Sequence, residues 1–263
     1  MRYSGSKRKY MKELLPILMN GTDEDTVFID CFGGGMNVIS EIPLRHKYAV
    51  ELNRYICALW HKIQRDGIQD TILPTNSDTF TEDDYEAVKY DYINNLHYHS
   101  DSFIGFVGSA CSYGGAWFNG YAKYNPRKKE DHIKEAYNGL CKQVEKFKYL
   151  EDTEFLNGPY NIVTDNILSN ELRGYNNVVI YCDPPYFNTK KYESDFNHAE
   201  FWEWAREKSK QGYRVYISEY TAPQDFIPIW AKEKKDGMGT TRSGEKQNTK
   251  TEKLFIYQPW RKN

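Results

Sequence analysis

Cysteine is scarce and follows no pattern. The five thiols of the 263-residue chain, Cys31, Cys57, Cys111, Cys141 and Cys182, are odd in number, widely spaced and form no CxxC pair. That argues against a disulfide scaffold and fits reduced thiols in a cytoplasm. Long apolar runs are missing too: no stretch of about 18 apolar residues occurs, so no segment is expected to span a membrane. The opening residues Met1-Arg2-Tyr3-Ser4-Gly5 lack the apolar segment of a signal peptide. An excess of one charge is also absent. With a net charge of -2 there is no global basic signal, so any binding of nucleic acid has to rest on local patches. His97 and His99 have no neighbours in sequence that complete a tetrahedral set, so no metal is expected. Repeats and low-complexity tracts are not found. Aromatic residues, by contrast, are abundant: 16% of the chain, with 22 Tyr. They supply cores, surfaces and stacking platforms alike. The length is enough for one large domain, or for a domain carrying an insertion.

The most informative stretch is Val178-Val179-Ile180-Tyr181-Cys182-Asp183-Pro184-Pro185-Tyr186-Phe187. Its β-branched start suits a buried strand, and Pro184 and Pro185, without N–H groups, end the ladder. A proline also holds the residue before it extended, so Asp183 and Pro184 form a stiff loop at the carboxyl end of a strand. Ligands of open α/β sheets bind at that end. The Asp183 carboxylate and the Pro184 carbonyl are adjacent acceptors able to take both hydrogens of an amino group, and Tyr186 offers a ring on which a base can stack. An ordinary strand exit limited by prolines is the plainer alternative.

Two further strands end in polar turns. Val27-Phe28-Ile29 leads through Asp30 and Cys31 to Phe32-Gly33-Gly34-Gly35, where glycine permits a tight turn and close approach of a ligand to the backbone. The spacing fails the dinucleotide pattern, because the third glycine comes too early. Tyr48-Ala49-Val50 then ends in Glu51, about 20 residues on, where an acid can reach two ribose hydroxyls. Asn53 to Ile63 reads as a helix with Ile56, Leu59, Trp60 and Ile63 on one face.

Asp183-Pro184-Pro185-Tyr186 resembles the catalytic tetrapeptide of amino-methyltransferases, and in particular that of the Dam-type, D12-class DNA adenine-N6 methyltransferases of the alpha group. The other motifs follow in the order of that family. Tyr3-Ser4-Gly5-Ser6-Lys7 resembles its N-terminal motif, with Ser6 where glycine is usual, which assigns Tyr3 and Lys7 to the cofactor. Phe32-Gly33-Gly34-Gly35 resembles its FxGxG signature, bringing in Asp30, Phe32, Gly33 and Gly35 beside the ribose acid Glu51. Tyr160 to Asp165 reads as a strand ending in an acid that the family places on the cofactor adenine; an N-cap for the following helix is the alternative for Asp165.

The resemblance implies a doubly wound, Rossmann-like α/β methyltransferase sheet formed by residues 1–68 and 156–263. Residues 69–155 would be an inserted, mostly helical target-recognition domain. Within it, Tyr113, Gly114, Trp117, Lys123 and Arg127 combine rings, flexible backbone and cations suited to DNA. A second basic loop contributes Arg242 and Lys246 to the DNA backbone. The acidic run from Leu73 to Tyr92 reads as solvated. Phe196 to Gln211 reads as a helix and Arg214 to Ser218 as a strand. Ile227 to Trp230 and Leu254 to Tyr257 read as edge strands of antiparallel sense. The implied reaction is methyl transfer from S-adenosyl-L-methionine to N6 of a flipped-out adenine in double-stranded DNA. Asp183, Pro184, Pro185 and Tyr186 would be catalytic, Asp183 would also touch the cofactor, and neither metal nor covalent enzyme intermediate is needed. Methylation of another amine (cytosine N4, an RNA base, a protein amide) and a non-catalytic DNA-binding module remain open alternatives. The sequence says nothing of oligomeric state.

Overall fold

The computed structural model describes residues 1–162, 177–186, 196–234 and 250–258. Two compact units divide the chain, 1–176 and 177–263.

In the first unit, β1 (Val27–Asp30) and β2 (Lys47–Glu51) are buried along their whole length, which explains their nearly continuous apolar sequence. β2 pairs in parallel with β1 on one side and with β3 (Thr153–Asn157) on the other, placing Asp30 opposite Ala49 and Glu51 opposite Asn157. The strand read at Tyr160 to Asp165 is not found over its first two residues. Residues 160 and 161 form a turn, β3 lies earlier, and residues 163–165 fall outside the described residues.

α1 (Met11–Leu18) buries Met11, Leu14 and Leu18. α2 (Arg54–Asp66) begins where the Asn53 side chain accepts the Tyr55 N–H, and it buries Ile56, Leu59, Trp60 and Ile63 as the periodicity requires. The segment after α2 is helical. α3 (Glu82–Asn94) opens on a capping box between Thr81 and Asp84. α4 (Asp101–Ala110) lies close against α2, because a Cβ on Gly105 would stand 2.1 Å from the Tyr55 carbonyl oxygen. α5 (His132–Lys146) starts from Asp131, whose carboxylate accepts the Ile133 and Lys134 N–H groups. Asp91, read as solvated, is in fact buried. It accepts the His99 backbone N–H and meets His99 Nδ1, each at 2.7 Å.

In the second unit, β4 (Val178–Cys182) runs parallel to β5 (Arg214–Glu219), and the Tyr181 hydroxyl meets Ser218 Oγ at 2.8 Å. α6 (His198–Lys210) buries Phe201, Trp202 and Ala205. β7 (Lys250–Tyr257) is antiparallel to both β5 and β6 (Phe226–Lys234); the antiparallel sense is as expected, but β7 is paired on both sides and is not the edge strand it was read as. The register of β6 shifts between Pro228 and Trp230, where proline brings no N–H to the ladder. Cys31, Cys57, Cys111 and Cys182 are buried free thiols, and Cys141 is half-buried.

Candidate active site

β1 and β2 end side by side, so their polar termini and the glycine turn share one end of the first unit's sheet. Asp30 is buried, and its Oδ1 accepts the Phe32 N–H at 3.3 Å. The Gly33 N–H donates to the Val50 carbonyl at 2.8 Å, tying the turn to β2. Glu51 is only 9% exposed; one carboxylate oxygen accepts the Gly34 N–H at 2.6 Å and the other the Asn53 N–H at 2.8 Å. Burial raises its pKa, and the backbone N–H groups of Asn53 and Gly34 oppose that shift. Each oxygen that accepts one N–H keeps capacity for a second donor, so the carboxylate suits a pair of ligand hydroxyls.

The turn also needs its glycines for shape. Gly34 has φ +48°, and a Cβ there would come within 2.7 Å of the Tyr3 ring. A Cβ on Gly35 would come within 2.6 Å of Tyr3 Cβ. Tyr3 and the turn are thus packed together, although they lie far apart in sequence. Lys7 is buried and donates to the Gly5 carbonyl at 3.2 Å. Phe32 stacks on Tyr160 with ring centroids 5.5 Å apart. From α5, Gln143 Nε2 donates to the Gly35 and Met36 carbonyls at 3.1 and 2.8 Å. Gln143 has no sequence signal of its own; only the tertiary contact reveals it.

The tetrapeptide of the second unit follows the fully buried β4. Pro184 is buried, while Asp183, Pro185 and Tyr186 are half-buried. The Tyr186 hydroxyl donates to the carboxylate of Glu252 on β7, and its ring meets Tyr220 edge-on at 4.5 Å. Lys250 Nζ lies 5.4 Å from the centre of the Tyr220 ring. Burial, the carboxylates of Asp183 and Glu252, and the hydrogen bond to Glu252 hold the Tyr186 phenol well above its ordinary pKa, so it stays a neutral donor. Glu252 was not among the expected site residues; its link to Tyr186, 66 residues away, exists only through tertiary contact.

The residues expected at DNA are spread over several environments. Tyr113 is 55% exposed and Gly114 is exposed with φ +68°. Trp117 is half-buried, stacked on Tyr55 at 5.9 Å and edge-on to Tyr92 at 5.5 Å, so part of its ring serves packing. Lys123 is exposed and pairs with Glu82 at 2.9 Å, and Arg127 is exposed. Asp165, Arg242 and Lys246 lie outside the described residues. Among the described residues, no cluster of three or more His, Cys, Asp or Glu could hold a metal ion, and no helix is long and apolar enough to cross a membrane.

A sheet with a glycine turn and a buried strand-end acid, together with a strand delivering Asp-Pro-Pro-Tyr, defines an α/β methyltransferase. Residues 3–228 match the D12 class N6 adenine-specific DNA methyltransferase family, and the chain belongs to that family of enzymes. Among solved structures, the chain is similar to one described as the rRNA methyltransferase aviRa from Streptomyces viridochromogenes. Identity there is 9%, coverage 97% of this chain and 86% of that one, and the TM-score 0.43. No curated protein matches the chain.

Proposed function

We propose that this protein methylates N6 of adenines flipped out of double-stranded DNA at a specific sequence, with S-adenosyl-L-methionine as cofactor. Residues 69–155 serve as the target-recognition insertion, and the rest of the chain as the catalytic domain. The observation that carries the cofactor reading is the Glu51 carboxylate, buried at the end of β2 and gripped by two backbone N–H groups with acceptor capacity left over. A buried charge of this kind is costly unless it binds something. Tyr3, Lys7, Asp30, Phe32, Gly33, Gly35, Glu51 and Asp165 hold the cofactor, with Glu51 on its ribose hydroxyls. When bound, S-adenosyl-L-methionine supplies the electrophilic sulfonium methyl group.

In the tetrapeptide, the Asp183 carboxylate and the Pro184 carbonyl accept both hydrogens of the adenine amine. They draw its nitrogen lone pair out of the ring and hold it in position. Pro185 stiffens the loop, and Tyr186, its hydroxyl fixed on Glu252, supports the extruded base. Tyr113, Gly114, Trp117, Lys123, Arg127, Arg242 and Lys246 contact DNA, the cations on phosphates. To test this, DNA is incubated with the protein and methyl-labelled cofactor, then digested to nucleosides. Labelled N6-methyladenine is the expected product. Label in N4-methylcytosine alone, or none in DNA, overturns the reading.

A further inference from the structure

Three glycines surround Tyr3, and they come from two distant segments. Two of them, Gly34 and Gly35, belong to the glycine turn after β1. The third is Gly115, in the one-turn 3-10 segment Tyr113–Gly115 that follows α4. A Cβ on Gly115 would stand 2.9 Å from the Tyr3 backbone nitrogen and 3.0 Å from its Cα, so the two backbones touch with no room for a side chain. The contact is closed by a hydrogen bond, the Ser4 N–H donating to the Gly115 carbonyl at 2.9 Å.

The segment carrying Gly115 is itself firmly seated. Ser112 is fully buried; its hydroxyl donates to the Gly108 carbonyl of α4 at 2.8 Å and meets the Tyr85 hydroxyl of α3 at 2.8 Å. The Gly115 N–H returns to the Ser112 carbonyl at 3.0 Å, and the Tyr113 N–H donates to the Gly120 carbonyl at 2.7 Å. Tyr3 is therefore held between a turn that ends a sheet strand and a turn mounted on two helices of the insertion. Moving either turn moves Tyr3 against the other.

We propose that Gly115 is a positioning residue for Tyr3, so that the exposed turn at Tyr113 and the cofactor-binding end of β1 and β2 form one coupled element. The inference rests on the cofactor reading above. A ligand that shifts the Tyr113 turn changes cofactor affinity, and by thermodynamic reciprocity the cofactor changes affinity for whatever the turn touches. DNA binding at Tyr113 and Gly114 would communicate with the cofactor by this route, through packed backbone.

A glycine elsewhere provides an internal control. Gly67, just after α2, also has a left-handed backbone, φ +81° against +69° at Gly115, and a Cβ on Gly67 meets nothing within 4 Å. Gly67→Ala and Gly115→Ala thus both strain a left-handed glycine, and only the second presses on Tyr3. Binding of S-adenosylhomocysteine, measured by calorimetry without DNA, is expected to weaken about tenfold in Gly115→Ala and to change less than about twofold in Gly67→Ala. In a Tyr3→Ala background, Gly115→Ala is expected to add little. Equal affinities in all the proteins, or equal losses in both alanine variants, overturn the proposal. If Gly115→Ala does not fold, hydrogen exchange on the unaltered protein decides. Saturating S-adenosylhomocysteine should slow amide exchange in residues 111–116, and unchanged exchange there overturns the proposal. An unaltered protein that fails to bind S-adenosylhomocysteine at all overturns the cofactor reading instead.

Discussion

Each unit contains a buried glutamate on a strand, Glu51 on β2 and Glu252 on β7, and the two are held in opposite ways. Glu51 is satisfied by backbone: its donors are the N–H groups of Gly34, 17 residues before it, and of Asn53, two residues after it. Glu252 takes its donor from a side chain, the Tyr186 hydroxyl, 66 residues away. A carboxylate held by main chain depends on the shape of a turn, and a run of glycines announces that shape. A carboxylate held by a distant phenol depends on which strands pair, here β4 with β5 and β5 with β7. The comparison also separates two uses of burial. Glu51 lies in unfavourable surroundings with acceptor capacity to spare, as suits a binding group. Glu252 spends its charge on orienting a neighbour.

The largest effect is expected at the tetrapeptide whose Tyr186 hydroxyl Glu252 holds. Asp183→Ala should lower methylation by about two orders of magnitude or more; near-normal turnover would end its catalytic role. Glu51→Ala strands the Gly34 and Asn53 N–H groups and deletes the ribose acceptor. It should weaken cofactor binding about ten- to a hundredfold by calorimetry, and an unchanged affinity would erase the distinction between the two glutamates.

Glu252→Leu should lower kcat about tenfold with little change in cofactor affinity, whereas Glu252→Gln, whose amide oxygen still accepts the Tyr186 hydroxyl, should recover most of the loss. Equal losses in the two variants would mean that charge, not the hydrogen bond, is what Glu252 contributes. Acid sharpens the contrast further. Burial raises the Glu51 pKa, so the free protein takes up this proton more readily than an exposed glutamate does, while ribose hydroxyls favour the ionised form. Cofactor affinity should therefore fall as pH drops through that raised pKa, and Glu51→Gln should flatten the profile. The smallest effect is expected away from both glutamates. Arg127→Ala should reduce affinity for duplex DNA about threefold and make binding less steeply dependent on salt, leaving cofactor affinity alone.

Elements that carry their own pattern were legible. β1, β2 and β4 announce themselves as apolar runs and α2 by four buried residues on one face; β6 and β7 were read correctly as antiparallel, although β7 lies between β5 and β6. β3 was missed because Thr153-Glu154-Phe155-Leu156-Asn157 places an exposed acid inside a short strand, and its pairing with β2 outweighs that local polarity. Asp91 was misread because an acidic run looks solvated until His99 folds back onto it. Within the candidate site, Tyr3, the glycine turn and Glu51 could be named in advance. Gln143, Gly115 and Glu252 could not, since each acts through a partner that is distant in the chain and has no fixed spacing to it.

The burial of the cysteines gives the protein a chemical gauge of its own. Burial and the nearby Glu51 push the Cys57 thiol up to about 12, and burial likewise raises Cys111, so neither offers much thiolate to an alkylating reagent. Cys141 on α5 is the one thiol of the five that is not buried. In the folded chain a maleimide should therefore label Cys141 first. Each additional equivalent consumed would report that a particular wall has opened: at the glycine turn for Cys31, behind Glu51 for Cys57, under the tetrapeptide for Cys182.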